Sequence, residues 1–135
     1  MKVFVDTNVW LAGRFSRGLC AELLDALLEL SAEIMLDERV LAEFHRIARD
    51  KFSVDSDVLD EAERFFRRYT EVLASAAEPC TGIPDPDDVW IVAAALDGGA
   101  DWFVTGDKAL LDLGRVRNLV VLSPRDAYTH LRGLN

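Results

Sequence analysis

The chain is poor in the residues that build zinc and disulfide sites. Its two cysteines, Cys20 and Cys80, form no CxxC pair and have no metal-ligand spacing, so each reads as a small buried or half-buried residue. His45 and His130 are isolated from them and from each other, which argues against a zinc site. No apolar run approaches the roughly 20 residues that a membrane-spanning helix needs. The start, Met1-Lys2-Val3-Phe4-Val5-Asp6, lacks the layout of a signal peptide and sets an acid where an apolar core would continue. These absences predict a soluble, cytoplasmic protein. Internal repeats, low-complexity tracts and linkers are also lacking, and the polar stretch from Lys51 to Ser56 is too short to divide domains. The expectation is one domain over residues 1–135, a length that suits a single core.

Positive charge is scarce as well. The formal net charge is −9, which on average opposes contact with phosphates. That objection concerns the mean and not the local field. Arg39, Arg46, Arg49 and Lys51 fall close together, as do Arg64, Arg67 and Arg68. Each group also reads as a solvated helix face balanced by nearby acids. A bound divalent cation would reverse the local field again.

What is present is an alternation of short apolar runs and helical patterns. Strands are predicted at Lys2–Val5, Glu33–Leu36, Trp102–Val104 and Leu119–Leu122. Helices are predicted from Asn8 to about Gly13, Leu19 to Leu30, Glu38 to Asp50, Asp57 to about Ala76, Pro86 to Leu96 and Ala109 to Leu113, with a last one opened by Ser123-Pro124. Residues 78–83 read as a break holding at most a short strand, and Gly98-Gly99 stops the helix before it. Strands alternating with helices predict an α/β fold with a mainly parallel central sheet flanked by helices.

Acids stand at the ends of these strands and the starts of these helices. Asp6 follows the first strand and Asp107 follows the Trp102–Val104 strand. Parallel sheets place ligand sites beyond the carboxyl ends of their strands, so both acids face one edge if the two strands are neighbours. Each also suits an N-cap. In Asp85-Pro86-Asp87-Asp88, Asp85 fits a cap, Pro86 the first helical position and Asp88 the third. Glu43 lies on the apolar side of its helix, among Leu41, Phe44, Ile47 and Ala48, where an ionised group is costly unless paired; it equally reads as an ordinary exposed helical Glu, since the apolar stripe leaves room for one at position 43. Capping explains most of these acids one at a time. Together they crowd negative charge with few basic neighbours, and a hard divalent cation would relieve that repulsion and activate water on a phosphodiester.

Four segments resemble, in order, the motifs of PIN domains. Val3-Phe4-Val5-Asp6-Thr7-Asn8-Val9 looks like the opening. Leu41-Ala42-Glu43 is similar to the second acidic position, Asp88-Val89-Trp90-Ile91-Val92-Ala93 to the third, and Val104-Thr105-Gly106-Asp107 to the fourth. The resemblance spans nearly the whole chain and implies a three-layer PIN-like fold. It implies a carboxylate pocket of Asp6, Glu43, Asp88 and Asp107 holding Mg²⁺ or Mn²⁺, with Thr7, Asn8 and Thr105 as supporting polar residues. Asp85 and Asp87 are not assigned as ligands.

The implied activity is metal-dependent hydrolysis of RNA. The implied partners are an RNA substrate, a second copy in a homodimer and a cognate antitoxin, since many PIN proteins of this size are toxins of toxin–antitoxin pairs, VapC among them. Thr-Gly-Asp stands where typical VapC sequences have Thr-Arg-Asp. Two alternatives remain at this point. One is a non-catalytic PIN module that binds a protein. The other is an Asp-based phosphatase or phosphoacceptor domain using Lys108 beside Asp107.

Overall fold

A computed structural model describes residues 1–133. Residues 134 and 135, the end of the expected domain, lie outside the described residues. A strand covered on both faces needs no alternation of apolar and polar residues. β1 (Lys2–Val5) is of that kind, with Val3, Phe4 and Val5 fully buried. After it come α1 (Thr7–Phe15), α2 (Leu19–Glu29), β2 (Glu33–Asp37), α3 (Glu38–Phe52), α4 (Ser56–Tyr69) and β3 (Glu71–Leu73). The second half runs α5 (Val89–Asp97), β4 (Trp102–Val104), α6 (Lys108–Leu113), β5 (Arg115–Val116), β6 (Leu119–Leu122) and α7 (Pro124–Arg132).

Among the described residues the strands form one sheet in the order β3-β2-β1-β4-β6-β5. All pairs are parallel except β5 with β6. The fold is therefore α/β with a mainly parallel sheet flanked by helices, as expected. From β1 the chain steps outward to β2 and β3, then returns to the other side of β1 for β4 and β6. The order reverses between β1 and β4, and such a switch point opens a crevice beyond the carboxyl ends of the two strands. Val5 pairs with Val104 there, so Asp6 and Thr105 leave the sheet side by side.

Aromatic rings tie α1, α3 and α4 together. Trp10 meets Phe66 edge-on at 4.9 Å, Phe66 meets Phe44 at 5.0 Å, and Phe15 stacks on Phe44 at 5.5 Å. Such pairs add about 0.5–1.5 kcal/mol each beyond the area they bury. They fix α3 by its apolar face, Val40, Leu41, Phe44 and Ala48, and so fix the direction of its other faces. No described helix is long and apolar enough to cross a membrane.

Two expectations need correction, and two details are added. The long helix expected to reach Ala76 stops at Tyr69. Thr70 turns extended, its hydroxyl donates to the Phe66 carbonyl at 2.6 Å, and Glu71–Leu73 pairs with β2 as an edge strand. Residues 78–83 hold no strand. The helix expected from Pro86 starts at Val89, because Asp85 closes a separate turn: its carboxylate accepts from Asp87 N at 2.9 Å and its carbonyl from Asp88 N at 3.0 Å. β5 was not anticipated at all.

Candidate functional site

The switch point collects its acids from four elements. Asp6, directly after β1, is 8% exposed. Its Oδ1 accepts from Thr7 N at 2.7 Å and its Oδ2 from the Thr105 hydroxyl at 2.7 Å. The same hydroxyl oxygen accepts from Asp107 N at 3.0 Å, so one buried threonine sets the positions of two acids. Asp107 caps α6, its Oδ1 accepting from Ala109 N at 3.1 Å.

Asp88 stands at the N-cap position of α5 but makes no capping hydrogen bond, and its Oδ2 is buried without a partner. Burial first, then a contact with the Asp107 carboxylate and the charges of Asp6, Asp85 and Asp107, together push its carboxyl up to about 7. Burial also raises Asp6; the bonds from Thr105 and Thr7 oppose the rise, and the charges of Glu43 and Asp107 support it.

Three of the acids border a cavity of about 490 Å³, lined by Asp6, Thr7, Asp87, Asp88 and Ile91 and, from α3, by Arg39, Val40, Ala42, Glu43 and Arg46. Glu43 is exposed to this cavity and is not near the interior, the second of the two readings of its helix face. The apolar stripe of α3 passes through Val40, Leu41 and Phe44 and leaves position 43 on the open side. Asn8 is exposed and lines a neighbouring apolar groove of about 380 Å³ with Leu11, Phe15, Ile47 and Phe52. The structure thus brings Asp6, Glu43, Asp88, Asp107, Thr7 and Thr105 to one place and sets Asn8 beside it.

The donors are all hard oxygens, the class that Mg²⁺ and Mn²⁺ prefer, and one of them is an orphaned buried carboxylate atom. Among the described residues no three acids or histidines already close around one point as a finished ligand set. Mg²⁺ does not require such a cage, since it commonly takes one or two carboxylates together with waters and substrate phosphate. The residues present therefore fit that ion as a pocket.

Asp37 was missed by the sequence reading. It ends β2 as Asp6 ends β1, is fully buried, and caps α3 through Val40 N at 2.8 Å. The same strand-end pattern would have found it. The two basic groups also separate. Arg39 and Arg46 line the cavity, whereas Arg49 pairs with Asp50, and Arg67 with Glu38 and Glu63.

A family model described as PIN domain matches residues 2–109. No curated protein matches the sequence. Among solved structures, a chain of the crystal structure of VapBC2 from Rickettsia felis, bound to a DNA fragment from their promoter, superposes with a TM-score of 0.64 and 19% identity. The match covers 91% of the present chain and 98% of that one. That likeness is one of fold.

Proposed function

The chain belongs to the PIN-domain family, and from that premise we propose that it is a Mg²⁺- or Mn²⁺-dependent endoribonuclease, acting in the cytoplasm as the toxin of a toxin–antitoxin pair. The observation that carries the nuclease reading is Asp88. An acid at a helix start that caps nothing, with a buried unpartnered oxygen beside Asp6 and Asp107, has a use other than holding the helix. Asp6, Asp88 and Asp107 would hold the cation, with Glu43 completing the pocket. The ion supplies Lewis-acid stabilisation of the phosphate and a more acidic water. Thr105 bonds the Asp6 carboxylate and the Asp107 backbone amide, and would so hold the two acids in place before substrate arrives. Glu43, on α3 and open to the cavity, would orient the attacking water.

The toxin reading draws support from the fold likeness to VapBC2 and from the groove between α1 and α3. That groove adjoins the acids and has the apolar lining that an amphipathic segment of an antitoxin needs. The phosphoacceptor alternative loses its cation, because Lys108 is exposed and its ammonium bonds Asp112 at 3.4 Å. The retained acids weigh against a purely binding module. The test is cleavage of single-stranded RNA by purified protein in Mg²⁺ or Mn²⁺. Asp6→Asn and Asp88→Asn should each abolish it. Undiminished cleavage by both variants, or equal activity in excess EDTA, would sink the reading.

A further inference from the structure

We propose that Arg39 and Arg46 form a phosphate track on either side of Glu43 that leads a single RNA strand across the pocket mouth. The proposal rests on the ribonuclease reading above and names how the substrate is held. Arg39, Glu43 and Arg46 are spaced i, i+4, i+7 on α3, so they share one helix face, and all three line the cavity. At a rise of ~1.5 Å per residue the two arginines stand about 10 Å apart along the axis.

Both arginines sit at pairing distance in sequence from Glu43. Among the described residues neither forms an ion pair with it, whereas Arg49 and Arg67 are engaged by acids. Arg39 instead lies over the ring of Trp90, 4.8 Å from its centre. Trp90 comes from α5, one residue past the Asp88–Val89 junction, so the stack ties the cation to the element that delivers the key acid. A guanidinium over an indole face keeps N–H groups available to a phosphate. The charge of Arg46 reaches Asp50, and its side chain remains exposed at the cavity wall.

The electrostatic need is specific. In a chain of net charge −9, a cation among the acids neutralises the scissile phosphate only. The flanking phosphates would still meet Asp87, Glu43 and their neighbours. Guanidinium groups on α3, on either side of Glu43, answer that repulsion where it arises. Asp6 lies in the buried part of the recess.

The experiment measures binding of a fluorescent uridine dodecamer by anisotropy over a range of salt, in Mg²⁺. The protein is the full chain carrying Asp88→Asn, alone or with Arg39→Gln, Arg46→Gln, both, or Arg49→Gln. Each phosphate contact on a single strand contributes ~0.7 to the slope of log K against log salt. The double variant should lose about 1.4 of slope, equivalent to about 25-fold weaker binding at 0.1 M salt relative to 1 M, and Arg49→Gln should match its parent. Trp90→Leu should weaken binding in the same direction as Arg39→Gln. In the chain with Asp88 restored, the arginine variants should raise KM and leave kcat within about twofold. An unchanged slope in the double variant, or no binding by the Asp88→Asn chain, overturns the track. Cleavage with an unchanged slope leaves the nuclease reading standing alone; slope loss without any cleavage leaves an RNA-binding track and removes the nuclease.

Discussion

Asp6, Asp107 and Asp88 differ in what each does for the fold. Asp6 and Asp107 accept backbone hydrogen bonds at helix starts, and Asp88 accepts none. Removing a cap costs about 1 kcal/mol. Removing one acid from a crowded, metal-free pocket relieves repulsion among the rest. In EDTA, Asp107→Ala should therefore combine a lost cap with a relieved charge and come out near neutral or destabilised. Asp88→Ala should be as stable as the parent or more so. Urea unfolding of both variants without metal separates the cases, and a clear destabilisation by Asp88→Ala would mean that its carboxylate is structural. Added Mg²⁺ should stabilise the parent by about 2.7 kcal/mol at a hundredfold excess over Kd, and the variants far less.

The raised carboxyl of Asp88 gives this a pH dependence. Its ordinary value is 3.8 and its folded value is about 7. Between those values the folded chain holds a proton that the unfolded chain has lost. The stability linked to that proton is fully present below the ordinary value, declines as pH rises, and is gone above the folded value. Burial shifts Asp6 and Asp37 the same way. Metal-free protein should thus lose stability between about pH 4 and about pH 7, and Asp88→Asn should flatten part of that slope. Parallel curves for parent and variant would contradict it. Mg²⁺ should bind more tightly as pH rises across the same interval, because it competes with the proton.

At the scale of elements, legibility followed burial. β1 and β4 were readable because central parallel strands are continuous apolar runs bounded by polar residues. β3 and β5 were not. Val72 and Leu73 continue the helical spacing of α4, and only their register against Leu36 and Asp37 makes them a strand. Two residues, Arg115 and Val116, are too few to show any period. Of the site, the strand-end acids were readable, because a parallel sheet must aim them at one edge. The order β1-β4, the cavity wall of α3 and the turn that frees Asp88 from capping depend on tertiary packing. Asp37 offers a test at this scale. It caps α3 with one oxygen while its other is buried and unpartnered, and burial raises its carboxyl. Serine caps about equally well and carries no ionisable group. Asp37→Ser should match the parent near pH 4 and become the more stable of the two as pH rises, in thermal unfolding; a uniform loss at every pH would show that the carboxylate fills space the serine leaves empty.

For the whole molecule, charge and apolar surface pull in opposite directions. Phe66 is fully buried, and Trp102 packs near His130. Other apolar residues follow one stripe of α4, where Val58, Phe65 and Tyr69 recur at i, i+7 and i+11. Val58 is 42% and Tyr69 is 53% exposed. Such a stripe on a small chain favours self-association. Two chains of charge −9 repel each other, and salt screens that repulsion over roughly 8–10 Å at 0.1–0.15 M. A homodimer at tens of micromolar should therefore tighten as salt rises, whereas RNA held through phosphates should weaken. Light scattering at low and high salt reads the first effect, and anisotropy of a labelled RNA reads the second. Tyr69→Glu should shift the dimer toward monomer and leave RNA binding per chain unchanged. A monomer at every salt concentration would remove the dimer, and a dimer that dissociates on adding salt would mean that ion pairs, not the α4 stripe, hold the two copies together.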